Sequence, residues 1–358
     1  MIKNDKTGIP DKALYQWILV EELGKGKTET FTRQEALGIR ELWIDTGYGR
    51  IKSLEGIGYL SNLESLGLKD HHMADIHGIE TLKKLMVLEL GYNNLKNLKA
   101  LSALTNLEVL NVGFNRLSSL RGVEKLKKLQ RLEAMGNQLK NAEELEGLKN
   151  LRELELSGNK LKDLSFARKL ARLKVLSANE NRLTDIDEVK NLKDLEELAV
   201  RDNRLKKLPD MKKLRKLQYT RCVFYNNNLT EKELRSKFPA HFLKKAKNKK
   251  NWLADQINIQ ENNLKVTWIS PKSKGKVTKN TKKITGRTFP GAYVELQNLR
   301  TQKRTKRVKA GKDGTFTLKG LNLKKWAGDK VSMNVYVKYK STTGFHQGGK
   351  AIQFSIKK

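Results

Sequence analysis

Leu151-Arg152-Glu153-Leu154-Glu155-Leu156-Ser157-Gly158-Asn159-Lys160-Leu161 is the stretch that decides the fold of this chain. Leucine stands at its first, fourth, sixth and eleventh positions and asparagine at its ninth. The Leu-x-Leu centre alternates with period two, which predicts a short strand with leucines inward and the intervening residues outward. The same pattern opens at Leu63, Leu85, Leu107, Leu129, Leu151, Leu173 and Leu195, always 22 residues apart. A fixed period of this length is the mark of a stacked repeat. The ninth position reads Asn93, Asn115, Asn137, Asn159, Asn181 and Asn203, with His71 in the first copy. Apolar columns then follow at steps of three, as at Leu98, Leu101 and Leu104, a spacing that suits 3₁₀ turns on the opposite side.

One such repeat cannot bury its apolar row alone, but stacked copies share a continuous core, so the expectation is a curved solenoid. Its parallel strands should line the concave face. The Asn column supplies amides for buried backbone groups between turns, a partnership whose loss costs ~1–3 kcal/mol. Of 54 leucines, 41 fall in residues 41–229, which bounds the array. Upstream, Asp11 reads as a helix N-cap and Thr32-Arg33-Gln34-Glu35 as a capping box, so residues 1–40 form a helical N-terminal cap. A degenerate first repeat follows, with Ile39, Leu42 and Ile44 inward and two extra residues near Asp45–Arg50. Downstream the register slips by two, so that Tyr219, Cys222, Phe224, Asn227 and Leu229 fit the pattern 24 residues after Leu195. Cys222 then occupies an inward leucine column as a small hydrophobe. A second capping box, Thr230-Glu231-Lys232-Glu233, opens a helical cap or linker over 230–263.

From 264 to 358 the period is two. Ala292/Val294/Leu296, Phe316/Leu318, Val331/Met333/Val335/Val337/Tyr339 and Ile352/Phe354/Ile356 alternate with polar residues. Pro290-Gly291, Asp313-Gly314 and Ala327-Gly328-Asp329 mark turns between them, and the whole reads as a β-sandwich.

The seven-copy array is the leucine-rich-repeat signature. With Ile9-Pro10-Asp11-Lys12-Ala13-Leu14, Leu54-Glu55-Gly56-Ile57 and the exit Asn228-Leu229-Thr230-Glu231-Lys232-Glu233-Leu234, it resembles the internalin group of Gram-positive bacteria. Ile284-Thr285-Gly286-Arg287, Pro290-Gly291-Ala292-Tyr293-Val294 and Asp313-Gly314-Thr315-Phe316 look like a bacterial immunoglobulin-like adhesin module. The resemblance implies a leucine-rich-repeat solenoid followed by an immunoglobulin-like β-sandwich. It also implies an exported protein, secreted or at the cell surface, whose signal peptide has been removed, acting as an adhesin or virulence factor. No LPxTG-type sorting motif is visible.

The 358 residues carry 73 Lys+Arg against 39 Asp+Glu, a net charge of +34. No apolar run approaches the ~20 residues of a membrane-spanning helix. A single cysteine excludes an intrachain disulfide and any multi-cysteine metal site. No GxSxG, Walker A or HExxH motif occurs, and His71, His72 and His77 lack further ligand spacing. No enzyme, cofactor or metal site is therefore expected.

The outward strand columns carry Asp70, Glu89, Glu133, Glu153, Glu155, Glu180, Glu197 and Asp202 against Lys69, Arg131 and Arg201, a net of −5 on a basic chain. The same columns hold Val87, Tyr92, Val109, Phe114 and Met135 in adjacent repeats. An apolar patch on a face that has no need of one points to a docking site for a protein receptor, one on a host cell by the resemblance. Val87, Glu89, Tyr92, Val109, Phe114, Glu133, Met135 and Glu155 are the candidate binding residues; the alternative is scattered surface hydrophobes. Residues 231–358 carry 32 basic and 7 acidic residues, a net of +25. The runs containing Lys244, Lys245 and Lys247, and Lys303, Arg304, Lys306 and Arg307, are candidates for a polyanion such as teichoic acid or a glycosaminoglycan. Solubility and edge protection are the competing reading of those runs. Nucleic acid is the least supported polyanion, since no recognised motif and no basic groove is present.

Overall fold

A computed structural model describes residues 1–218, 221–229, 231–238, 267–271, 277–288, 292–338, 345–347 and 352–357. The Lys244–Lys250 run, Thr230, Pro290, Gly291 and Tyr339 lie outside the described residues. Two compact units result, one holding Met1–Val223 and the other the C-terminal strands.

The first unit is a solenoid. Its strands are β1 (Glu41–Trp43), β2 (Ser65–Gly67), β3 (Val87–Glu89), β4 (Val109–Asn111), β5 (Arg131–Glu133), β6 (Glu153–Glu155), β7 (Val175–Ser177), β8 (Glu197–Ala199) and β9 (Cys222–Val223). They form one parallel sheet in sequence order. The register repeats at 22 residues from Leu66↔Leu88 through Leu176↔Leu198. It is 24 at both ends, Leu42↔Leu66 and Leu198↔Cys222. Short 3₁₀ segments occupy the other side of the coils from Ile57–Leu60 to Asp187–Asn191, for example Lys99–Ala103 and Ser165–Lys169. Coils pack so closely that Gly78 (φ +100°) and Gly122 (φ +110°) have no room for a side chain: a Cβ there would strike the carbonyl of Leu54 or Leu98 in the preceding coil.

The leucine columns are buried throughout, and so are the ladder asparagines. Asn137 donates to Val112 O at 3.0 Å and accepts from Leu117 N at 3.0 Å, joining two coils through one amide. Asn159 repeats this with Ala134 O and Leu139 N, both at 3.0 Å. His71 does the same work with a ring: Nδ1 accepts from Ile51 N at 3.1 Å, which leaves Nε2 to donate to Ile44 O at 3.2 Å. Burial pushes its pKa below the ordinary value, in keeping with a neutral imidazole. Cys222 is buried too, and desolvation raises its thiol to about 12, so it is a packing residue.

At the N-terminus, α1 (Lys12–Trp17) runs into a π-turn, Ile18–Glu22, and α2 (Arg33–Gly38) follows. Asp11 caps α1 through Leu14 N and also accepts from Lys52 N and Ser53 N, tying the cap to the first coil. The Thr32/Glu35 box closes in both directions. A third helix, α3 (Glu231–Lys237), follows β9 in the chain.

The C-terminal unit is an antiparallel, immunoglobulin-like β-sandwich. One sheet holds β10 (Thr267–Ser270), β11 (Ile284–Arg287) and β14 (Thr315–Leu318). The other holds β12 (Tyr293–Asn298), β13 (Val308–Lys309), β15 (Lys330–Lys338), β16 (Phe345–Gln347) and β17 (Ile352–Ser355). Val294, Leu296, Phe316, Leu318, Val331, Met333 and Phe354 meet in its core. Alternation alone did not mark β10, β11, β13 and β16, each four residues or fewer.

Candidate functional site

Strand register builds the concave face column by column. The middle outward column runs Trp43, Gly67, Glu89, Asn111, Glu133, Glu155, Ser177, Ala199, Val223. Beside it run Ser65, Val87, Val109, Arg131, Glu153, Val175 and Glu197. Side chains one repeat apart are about 4.8 Å apart along such a column, so neighbours touch.

Tyr92 and Phe114 stand just beyond the strands, on the eighth position of their repeats. Their rings stack with centroids 4.4 Å apart and planes at 22°. They remain 46% and 40% exposed, among the few large apolar side chains left in solvent. Lys69 Nζ lies 5.0 Å from the Tyr92 ring centroid, a cation–π contact that extends the row by one repeat. Phe114 covers Gly136, where a Cβ would come within 2.6 Å of the ring. The coil turns here through the left-handed region in every full repeat: Tyr92 has φ +58° and Phe114 φ +53°, Asp70, Glu180 and Asp202 share it at +52° to +62°, and Gly136 (+65°) and Gly158 (+67°) fill the same position. Glycine is the unstrained choice for that backbone, and a bulky residue costs of order 1 kcal/mol or more there. Two adjacent aromatics are held at strained positions with their rings in water.

Val87 and Val109 are half-buried on the column beside Glu89 and Asn111, and Met135 is half-buried in the repeat after Phe114. Next to them the acidic row begins. Glu89 bonds to Asn111 and sits near Glu133; burial, before any other cause, raises its carboxyl above the ordinary range. Arg131 pairs with Glu133 at 2.5 Å and Glu153 at 3.2 Å. A depression of about 230 Å³ opens there, lined by Arg131, Glu133, Met135, Glu153, Glu155, Val175 and Ser177. The eight candidate residues thus fall on one face, in an aromatic part (Tyr92, Phe114, Val87, Val109, Met135) and an acidic part (Glu89, Glu133, Glu155). Sequence reasoning passed over Trp43, 49% exposed at the top of the middle column and lying over Gly67, which has no Cβ to displace it. Its signal was the alternation Leu42-Trp43-Ile44 in the degenerate repeat. Arg131, which links the two acidic columns, was legible only as a charge.

The basic run of the C-terminal unit divides in two. Arg304 Nη1 lies 3.1 Å from Glu295 Oε1 and Arg307 Nε 2.7 Å from Glu295 Oε2. Glu295 is 2% exposed, so both guanidiniums are engaged in covering a buried carboxylate. Lys303 and Lys306 are exposed. Lys244, Lys245 and Lys247 lie outside the described residues. Among the described residues no group of three or more His, Cys, Asp or Glu side chains is placed to hold a metal, and no helix is long and apolar enough to cross a membrane.

The leucine-rich-repeat family model matches residues 127–169 and 171–213. Internalin C2 of Listeria monocytogenes is 30% identical, with a TM-score of 0.54, over 62% of this chain and 94% of its own. A leucine-rich-repeat protein of Leptospira interrogans is 31% identical, with a TM-score of 0.50, over 64% of this chain and 55% of its own. No curated protein matches the sequence.

Proposed function

From the premise that the chain belongs to the leucine-rich-repeat proteins, with a solenoid built like that of internalin C2, we propose that it is a non-enzymatic binding protein that docks a protein partner on its concave face. The observation that carries this is the Tyr92–Phe114 stack, exposed on strained backbone where glycine serves the next two repeats. A solenoid gains nothing from such residues, whereas interfaces concentrate their affinity in a few aromatic anchors. The Glu89/Glu133/Glu155 row beside the stack favours a partner that presents an apolar side chain next to basic ones.

The internalin-like build supports placing the protein outside the cell, secreted or surface-associated, in the manner of an adhesin or virulence factor of a Gram-positive bacterium, with a host-cell protein as receptor. Binding of the labelled whole chain to intact host cells tests the reading. Tyr92→Ala with Phe114→Ala should cut binding at least 100-fold, since anchors of this kind cost ~2 kcal/mol or more each. Binding by the double variant equal to wild type would move the site off this face.

A further inference from the structure

The last two residues of every full repeat are the central pair of a tight turn. The N–H of the next leucine closes it on a leucine carbonyl three residues back, as from Leu129 to Leu126 and from Leu151 to Leu148, both at 3.0 Å. Both leucines are buried, so the central pair is forced outward. With the nineteenth-residue column beside them, these turns hold 21 positions over seven repeats; twelve are lysine or arginine and one, Asp194, is acidic. Residues 1–230 have a net charge of only +9, so this one ridge exceeds the whole surplus of the solenoid while the strand face is acidic.

Three of the cations are held by neutral amides. Lys84 donates to Asn62 Oδ1 at 2.7 Å, Lys128 to Asn106 Oδ1 at 2.8 Å and Arg172 to Asn150 Oδ1 at 2.8 Å. Each amide is fixed in turn by donating to Leu37 O, Lys83 O or Lys127 O, at 2.8 to 2.9 Å. A neutral acceptor positions an ammonium or guanidinium and leaves its charge available; a carboxylate would cancel it. Among the described residues only Lys169 and Lys216 of the twelve form ion pairs, with Glu146 and Asp194. The anchored cations recur every second repeat, a spacing of about 10 Å.

We propose that this ridge is a binding track for an extended, single-chain anionic polysaccharide. Besides Asp194, its remaining eight positions are only Thr, Ala, Gly and Asn. It therefore offers no apolar anchor for a protein partner and no aromatic platform for unpaired bases. A single row of charges along the coils meets few phosphates of a duplex, whose strands wind away from it. Ten of the twelve cations are lysine, a point charge without the planar fork that suits phosphate.

Heparin is the probe, with the full chain and a salt series. One variant carries Lys83→Gln, Lys84→Gln, Lys127→Gln, Lys128→Gln and Arg172→Gln. A matched variant carries Lys282→Gln, Lys312→Gln, Lys319→Gln, Lys324→Gln and Lys325→Gln, losing the same charge at exposed lysines elsewhere. The ridge variant should bind heparin more than tenfold more weakly at physiological salt, with a flatter dependence on salt; the matched variant should change less than threefold. Should the ridge variant melt early, Lys83→Gln, Lys127→Gln, Lys149→Gln and Lys193→Gln leave the Asn-held cations intact and take its place. Equal weakening by both sets would reduce the effect to net charge and overturn the proposal. Tighter binding to duplex DNA or polyglutamate than to heparin would overturn the ligand class.

Discussion

The solenoid and the C-terminal unit both bury neutral polar side chains, but the C-terminal unit also buries a charge. In the solenoid a neutral amide is buried six times over, each asparagine accepting from one coil and donating to its neighbours at about the same distances. In the C-terminal unit a charge is buried: Glu295 on β12, under Arg304 and Arg307. An amide leaves water at modest cost because it carries no net charge. A carboxylate is tolerated only while its guanidiniums stay in place. The repeated solution is robust to the loss of one copy, and the single solution is not.

Removing the clamp should give the largest effect. Arg304→Ala with Arg307→Ala leaves Glu295 without these partners and should cost ~3–5 kcal/mol, read from amide exchange on β12 and β15. Adding Glu295→Leu should recover most of it, and failure to recover would mean the arginines act through packing instead. In the ladder, Asn137→Ala or Asn159→Ala should each cost ~1–3 kcal/mol in chemical denaturation. Asn137 and Asn181 share no bonding partner, so that pair should add, whereas Asn137 and Asn159 both use Ala134 O and should not. Exposed Lys→Ala changes on the solenoid should stay within ~0.5 kcal/mol of wild type. Ladder variants equally silent would break the comparison outright.

The smallest effect depends on pH. His71 stands in the ladder as a neutral ring with its pKa lowered by burial. Below the ordinary imidazole value of about 6.5 the unfolded chain takes up a proton that the folded one resists. Its contribution is therefore complete above that pH and lost as pH falls below it. Denaturation at pH 7.5 and 5.5 should show a larger loss for wild type than for His71→Asn, which supplies the neutral amide of the other copies. An identical loss in both would mean that His71 keeps its proton balance on unfolding.

The sequence by itself determined the solenoid, because a 22-residue period gives each column one environment in every copy. Leu151 is buried for the same reason as Leu129, and Asn159 bonds as Asn137 does. Outward columns were legible too, so Val87, Tyr92, Phe114 and Glu133 could be assigned to one face from spacing alone. What only the tertiary structure decided lies where neighbours are set by geometry and not by period. Ring stacking between Tyr92 and Phe114 depends on a left-handed turn that the letters do not display. The ridge emerges once the exit turns of seven repeats are brought side by side. In the C-terminal unit, Arg304 and Arg307 read as a free basic run until antiparallel pairing placed Glu295 beneath them, nine and twelve residues away in the chain. A repeat carries its neighbours in its own period, whereas a sandwich acquires them only when its strands pair.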